Sequence, residues 1–204
     1  MSKQSALPLS WPDRYTFDNF IVAECNKQAF DLVCHPESWK ANVLLIQGPD
    51  FSGKTHLTHI FQNLHSGEGF EVLDSIDRLI AEQPDQTEGL FHQVNAAMLG
   101  QGKILLTMRE TPPTWAKLPD LLSRLQASQL VKLEQPDESM IQAAYKKLFI
   151  DRGLIVDNKV LDYLAIRSQR SFADIQSNVA KLDTLSLESG RKITIPLIQE
   201  AGIV

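Results

Sequence analysis

The residues with the clearest chemical potential lie in residues 48–55, between an apolar segment and a segment with helical periodicity. They meet the pattern G-x-x-x-x-G-K-[ST] in full, with Gly48, Gly53, Lys54 and Thr55 at its fixed positions. Glycines let backbone N–H groups turn inward around a phosphate, and the N-terminus of the following helix adds partial positive charge. In this pattern the lysine reaches the β- and γ-phosphates, and the threonine hydroxyl holds Mg²⁺. The segment, called the phosphate loop below, therefore predicts binding of a nucleotide with Mg²⁺.

The phosphate loop needs a strand before it and a helix after it. Val43–Gln47 is an apolar run of strand length, and Lys54–Leu64 has the spacing of a helix. This context argues against a chance occurrence of the pattern. The predicted nucleotide contacts are Gly48, Pro49, Asp50, Phe51, Ser52, Gly53, Lys54, Thr55 and His56.

An acidic residue follows at the end of residues 70–74, a short strand pattern that finishes in Asp74. A carboxylate at the tip of a strand next to a phosphate loop commonly holds Mg²⁺ through water. We therefore predict that Thr55 and Asp74 form the metal site. Residues 56–73 leave room for one helix and one strand, although folds of this kind usually insert a further strand there. If a strand is missing, we expect it to be an edge strand, because its loss leaves the central hydrogen-bond ladder intact.

The sequence pattern changes near Pro136. Before it, apolar runs at residues 103–107 and 130–133 predict further strands, and residues 87–99 have helical spacing. After it, the periodicity is largely helical. These patterns predict an α/β fold, in which a parallel sheet is flanked by helices and followed by a small helical lid domain. The predicted division is an extended tail at residues 1–13, a nucleotide-binding domain at residues 14–135 and a lid at residues 136–204.

Composition limits the functions that remain. A formal net charge of −5 argues against a broad nucleic-acid footprint. No apolar run approaches the roughly 20 residues of a membrane span, and the N-terminus has no signal-peptide core. Cys25 and Cys34 do not make a disulfide framework, so reduced thiols are expected. We expect a cytoplasmic protein with no membrane partner and no direct sequence-specific DNA binding.

The N-terminal tail contains two leucines that flank a proline, which is unusual for a free extended segment. On composition alone, Gln4, Leu7, Pro8 and Leu9 are expected to pack on their own domain. In the alternative interpretation they form a short linear motif. Gln4 would then hydrogen-bond a partner protein while Leu7 and Leu9 fill its pocket.

Several motifs resemble the Hda branch of the DnaA family of AAA+ proteins, and the similarity extends along nearly the whole chain. Residues 16–20 look like the motif that opens the DnaA AAA+ domain, and residues 74–77 occupy the place of its Walker B segment. Residues 118–125 resemble the Hda segment that carries the arginine finger, and residues 191–196 resemble the Hda C-terminal signature. Residues 4–9 resemble the Hda hexapeptide that docks on the DNA polymerase sliding clamp, which favours the linear-motif interpretation of the tail.

The resemblance implies an AAA+ regulator of replication initiation. Hda-like proteins in their ADP-bound form sit on the clamp and stimulate hydrolysis of the ATP held by DnaA. Arg124 would then be an arginine finger acting in trans, whereas from the sequence alone a surface or ion-paired arginine is an equal alternative. DnaA itself continues into a helix-turn-helix DNA-binding domain, which we do not expect in this chain. A homodimer is one assembly that the sequence allows.

Three positions depart from the family pattern. Ser75 follows Asp74 where the family often has a second acidic residue, and a serine cannot polarise the attacking water as a carboxylate does. Ala173 falls at the position of the sensor 2 arginine, with Arg170 one helical turn away. Residues 107–109 differ from the Thr-Ser-Asp of DnaA sensor 1. With an intact phosphate loop, these departures predict tight nucleotide binding and weak or no ATP hydrolysis by the chain itself.

Two other functions remain open. An autonomous ATPase or remodelling motor would oligomerise and turn over ATP, and Ser75 argues against it. A pure adaptor would bridge the clamp and DnaA, with the nucleotide as a structural ligand. In the adaptor, loss of Arg124 would leave its function unchanged, whereas loss of the tail would abolish it.

Overall fold

The structure, a computed structural model, describes residues 15–67, 69–168 and 172–203, and only the backbone at residues 172 and 173. Its strands are β1 (Val43–Gln47), β2 (Phe70–Leu73), β3 (Lys103–Met108) and β4 (Gln129–Lys132). They form one 4-stranded parallel sheet in the order β2-β3-β1-β4. In this order the carboxyl ends of all four strands meet at one edge of the sheet, where the phosphate loop begins.

Helices cover both faces of the sheet and then form a separate bundle. In chain order they are α1 (Glu24–Cys34), α2 (Lys54–Leu64), α3 (Ile76–Glu82), α4 (Gln86–Met98), α5 (Pro112–Trp115), α6 (Pro119–Gln126), α7 (Glu138–Asp151), α8 (Asn158–Arg167), α9 (Phe172–Ser189) and α10 (Ile195–Glu200). In the part of the chain that the structure describes, none of these helices is long and apolar enough to span a membrane.

The central strand β1 is apolar along almost its whole length because helices bury both of its faces. Val43 and Leu45 pack in a cluster with buried side chains of α3, α4 and α6. Leu44 and Ile46 point the other way and pack with buried side chains of α1 and α2. The period-two alternation of a strand therefore distributes one apolar run between two hydrophobic cores.

The predicted α/β architecture is confirmed, and β1 and α2 have the predicted bounds. Within the described residues no strand lies between α2 and β2, and β2 forms one edge of the sheet. The strand whose absence we anticipated would therefore belong at the edge of the sheet, beside β2. Its loss leaves the hydrogen bonds among β1, β3 and β4 intact. Helices α3 and α5 were not predicted; α5 begins at Pro112, because a proline in the first helical turn needs no N–H partner.

Helices α7 to α10 enclose a hydrophobic cluster of their own. At its centre the buried Tyr145 hydroxyl donates to Ser168 Oγ at 2.6 Å and accepts from Asn178 Nδ2 at 2.9 Å, which ties α7 to α9. This bundle also touches the sheet side of the molecule. Ile21 packs against the cluster, and the Cys25 thiol of α1 lies 3.4 Å from Met140 Sδ of α7. The helical bundle is therefore held beside the carboxyl edge of the sheet.

Candidate nucleotide-binding site

The phosphate loop is shaped by its two motif glycines. Gly53, directly before α2, has a φ of 96°, in the left-handed region that side chains other than glycine rarely adopt. At Gly48 the constraint is steric, because an added Cβ would lie 2.7 Å from Ser52 Oγ and 2.9 Å from Leu133 Cβ. The loop therefore folds tightly over its own buried Ser52, whose Oγ has no hydrogen-bond partner among the described residues.

Lys54 is drawn into the loop although it carries a charge. Its side chain is largely buried, with 8% of the residue exposed, and Nζ donates to the carbonyls of Gly48 at 2.8 Å and Pro49 at 2.7 Å. The pKa of Lys54 is lowered, chiefly by burial. Neighbouring carboxylates, Asp50 first among them, partly oppose this shift. The ammonium is thus held at the centre of the loop, where it can interact with phosphate oxygens.

Thr55 and Asp74 meet at the mouth of the loop. Thr55 Oγ1 donates to Asp74 Oδ2 at 2.8 Å, and Thr107 Oγ1 donates a short hydrogen bond to Asp74 Oδ1. The 2.8 Å spacing is close to the roughly 2.9 Å between adjacent ligand oxygens around an octahedral Mg²⁺ with bonds of about 2.0–2.1 Å. The hard oxygen donors present therefore suit Mg²⁺, which Thr55 and Asp74 would hold and which would neutralise phosphate charge.

Ser75 has a strained backbone, with a φ of 55°. Its N–H donates to Thr107 Oγ1 at 2.7 Å, so the turn after Asp74 is fixed to β3. The side chain at this position has no carboxylate that could act as a base toward water. Residue 75 lines the cleft, so the departure from the family pattern lies at the site itself.

The carboxylates that line the cleft among the described residues, Asp50, Asp77 and Glu110, all accept hydrogen bonds. Asp77 Oδ2 accepts from the backbone N–H groups of Arg109 and Glu110, both at 2.9 Å. Asp50 Oδ2 accepts from Arg109 Nη1 at 3.2 Å, and Glu110 Oε1 accepts from Arg109 Nη2 at 2.9 Å. Asp77 therefore fixes the backbone after β3, whereas Asp50 and Glu110 share the exposed Arg109 guanidinium.

The cleft above the phosphate loop has a volume of about 810 Å³. Tyr15, Phe20 and Ile21 give it an apolar end, and the phosphate loop, Asp77 and Glu110 give it a polar end. Gln176 of α9 also lines it, so the helical bundle contributes to the cavity. The apolar and polar ends match the base and the phosphates of a nucleotide.

His56 stiffens the apolar end of the cleft. Its Nε2–H donates to the Thr16 carbonyl at 2.8 Å, and its ring meets Phe20 edge-on at 5.0 Å between centroids. The neighbouring His59 ring stacks on Tyr15, with centroids 4.8 Å apart. Both histidines therefore hold the segment before α1 against α2, and burial lowers the pKa of His56.

Arg124 lies elsewhere, in the last turn of α6. Its guanidinium carbon lies 5.2 Å from the centroid of the Phe91 ring of α4, and it does not line the cleft. Its Nε is buried with no hydrogen-bond partner in the described chain. The structure thus separates Arg124 from the nucleotide site of its own chain.

Some predicted positions cannot be placed. Gln4, Leu7, Pro8 and Leu9 lie outside the described residues, as does Arg170. Ala173 is in the first turn of α9, and Gln176 follows one turn later. The sequence did not point to Gln176, Asp77 or the Arg109–Asp50 ion pair, although Asp77 and Arg109 both follow predicted strands closely enough to be suspected.

Comparison with known proteins shows similarity in both parts of the chain. Residues 137–201 match the family described as Hda, lid domain. The chromosomal replication initiator protein DnaA of Wolinella succinogenes is 24% identical over 220 residues, which cover 89% of this chain and 50% of the relative. The chain therefore spans about half the length of this curated relative.

Solved structures show the same fold. Domain III of the Thermotoga maritima replication initiation protein DnaA superposes with a TM-score of 0.75 at 21% identity, covering 93% of this chain and 96% of that domain. AMPPCP-bound DnaA from Aquifex aeolicus superposes with a TM-score of 0.73 at 23% identity, covering 88% of this chain and 68% of that protein. The fold of a parallel sheet, phosphate loop and helical lid is thus shared with these two DnaA structures.

Proposed function

Because the chain is an Hda-like AAA+ protein of the DnaA family, we propose that it is a negative regulator of replication initiation that holds a nucleotide and promotes ATP hydrolysis by DnaA. The lid match and the DnaA relatives support a role related to replication initiation. The division into a tail, a nucleotide domain ending near Pro136 and a lid is part of this proposal, as is action in the cytoplasm. The DNA-binding function of an initiator is not part of it.

The resident ligand is ADP or ATP with Mg²⁺. In support, a related DnaA is AMPPCP-bound. In this chain the phosphates would contact the phosphate loop and Lys54, Mg²⁺ would be held by Thr55 and Asp74, and the base would enter the apolar end of the cleft. The cation neutralises phosphate charge when bound. The protein's own contribution is to fix the nucleotide between the sheet and the lid.

One observation carries the proposal: the residues expected to hold the phosphates and the metal lie together, with Ser75 at the position where a base would act. Lys54, Thr55 and Asp74 are in contact with the loop or with one another. The nearby carboxylates Asp77 and Glu110 are held by hydrogen bonds. Such a site binds a nucleotide well and activates water poorly. The chain then promotes hydrolysis of the ATP bound to DnaA, and it supplies Arg124 to that site in trans.

A pure adaptor is the second candidate function. It is favoured by the contact of Arg124 with Phe91, because this contact gives the arginine a packing role inside its own chain. In the adaptor, the nucleotide stabilises the chain and the tail joins it to the clamp. The two functions differ in the consequence of removing Arg124, which is treated in the Discussion.

The predicted clamp contact is tested by capture on an immobilised sliding clamp from the same organism. We expect the full chain to be retained and the chain lacking residues 1–10 to be lost, because Gln4, Leu7 and Leu9 supply the hydrogen bonds and apolar anchors. Replacing Gln4 and Leu7 together with alanine should have the same effect.

The matched control is the double replacement of Ser5 and Ser10 with alanine, which changes the same tail without touching the proposed anchors. It should be retained like the wild type. Equal retention of the wild type and the truncated chain would remove clamp docking by the tail from the proposal.

A further inference from the structure

Strand β2 has one side that no other strand of the described chain covers. The Lys103 N–H of β3 donates to the Gly69 carbonyl at 2.7 Å, so Gly69 faces β3, and by alternation Glu71 does as well. The backbone N–H and C=O groups of Phe70 and Val72 therefore point away from β3. This side of β2, called the β2 edge below, presents backbone donors and acceptors to a further strand.

Apolar side chains beside the β2 edge are only partly covered. The Phe70 ring contacts the rings of Phe61 and His65, yet Phe70 is 36% exposed. Leu64 precedes His65 and lies one turn after the buried Ile60, but it is 47% exposed although it continues the buried side of α2. Edge strands of soluble proteins are usually protected by charges, prolines, bulges or a covering segment. These apolar groups therefore favour a covering segment at the β2 edge.

The N-terminal tail, which lies outside the described residues, has the sequence pattern of an edge strand. Three apolar residues alternate with two prolines and a serine: Leu7, Pro8, Leu9, Ser10, Trp11 and Pro12. In an extended segment, alternate residues direct their side chains to one face and their N–H groups to one side. Both prolines therefore fall in the row that can face solvent, where a missing N–H removes no hydrogen bond between strands. The apolar row keeps all of its N–H groups for pairing.

The tail is also attached near the β2 edge. The described chain begins at Tyr15, whose ring stacks on His59 of α2 with centroids 4.8 Å apart. The rise of a helix from His59 to His65, beside Phe70, is about 9 Å, and a helix is about 10–12 Å wide. An extended segment of about ten residues spans roughly 33 Å. The tail is therefore long enough to reach the β2 edge of its own chain.

We propose that the β2 edge is the docking site of the chain's own N-terminal tail, which adds to the sheet as a further strand. The row of Leu7, Leu9 and Trp11 bonds to the β2 edge, and the row with the two prolines faces solvent. Leu7 and Leu9 are also the proposed clamp anchors, so the tail cannot occupy the clamp and the β2 edge at once. The inference requires neither the clamp nor a nucleotide, and it goes beyond the proposed function.

The test is hydrogen–deuterium exchange of the purified full chain, followed by NMR at the Phe70 and Val72 amides. We expect these amides to exchange about tenfold faster or more in Leu9→Pro, because the proline removes an N–H from the row that bonds to the β2 edge. Deletion of residues 1–13 should have the same effect. The Glu71 amide, which faces β3, should exchange as in the wild type and so reports that the sheet is intact.

Ser10→Pro controls for the substitution itself, because it introduces the same residue one position later, in the row that faces solvent. The Phe70 and Val72 amides of this variant should exchange as in the wild type. A tail that docks through side chains alone, or not as a strand, would not distinguish the two proline variants.

The possible results decide the inference without reference to the clamp. Faster exchange at Phe70 and Val72 in Leu9→Pro, but not in Ser10→Pro, supports it. Unchanged exchange after deletion of the tail overturns it, as does equal acceleration in both proline variants. If the protection in the wild type rises with protein concentration, the tail of a second copy occupies the edge, and docking within one chain is wrong. Failure of clamp capture leaves the inference in place.

Discussion

Replacing Arg124 with alanine is expected to slow the hydrolysis of DnaA-bound ATP, measured in single turnover with this chain and clamp on DNA, by roughly 10³-fold or more. An arginine finger neutralises charge on the transferring phosphoryl group. If the DnaA site lacks such an arginine, a neighbouring molecule, here this chain, must supply the guanidinium. In this structure the Arg124 guanidinium lies outside its own cleft, which agrees with action in trans.

The contact with Phe91 has to be separated from catalysis in this experiment. Arg167→Ala is the matched control, because the Arg167 guanidinium also lies over an aromatic ring, that of Tyr163, at 4.2 Å. It should stimulate hydrolysis like the wild type. Arg124→Lys should recover little activity, since an ammonium lacks the planar fork. If Arg124→Ala is folded by thermal melting and stimulates as well as the wild type, the finger role is wrong and the adaptor function gains support.

Lys54→Ala should weaken the binding of Mg–ADP to this chain by roughly 10- to 100-fold, corresponding to a hydrogen-bonded charge contribution of about 1.5–3 kcal/mol. Lys54 Nζ is held by the Gly48 and Pro49 carbonyls within the phosphate loop, so alanine removes both the charge and these loop contacts. The measurement is calorimetric titration with Mg–ADP.

Lys146→Ala provides the control for this titration, since Lys146 is exposed on α7 and does not line the cleft. Its affinity for Mg–ADP should equal that of the wild type. A Lys54→Ala variant that binds as tightly as the wild type would mean that the nucleotide does not use the phosphate loop.

The sequence anticipated the parts of the site that depend on local structure. Strand β1, the phosphate loop and α2 follow one another without interruption in the chain. The motif therefore specifies where β1 ends and where α2 begins. Asp74 could be placed near Thr55 because Asp74 follows β2 and the phosphate loop follows β1, at the same carboxyl edge of a parallel sheet. The change to helical periodicity after Pro136 predicted the helical lid domain, because its helices are local features of the sequence.

The remaining features depend on contacts between distant segments. Arg109 meets Asp50 only because β3 pairs with β1 in one particular register, and register cannot be read from either strand alone. Gln176 reaches the cleft because the lid packs beside the carboxyl edge of the sheet. The packing of Arg124 on Phe91 requires α4 and α6 to lie side by side on the same face. None of these relations leaves a pattern in a single stretch of sequence.

The most direct test of the central claim follows two nucleotides in one reaction. DnaA is loaded with ATP that carries one radiolabel, this chain is loaded with ATP that carries another, and both are mixed with clamp on DNA and excess unlabelled ATP. We predict that the label on DnaA is converted to diphosphate while the label on this chain remains triphosphate over the same period, because Ser75 provides no base at its own site. Hydrolysis of the label on this chain at a rate equal to that on DnaA would contradict the account and indicate an autonomous ATPase.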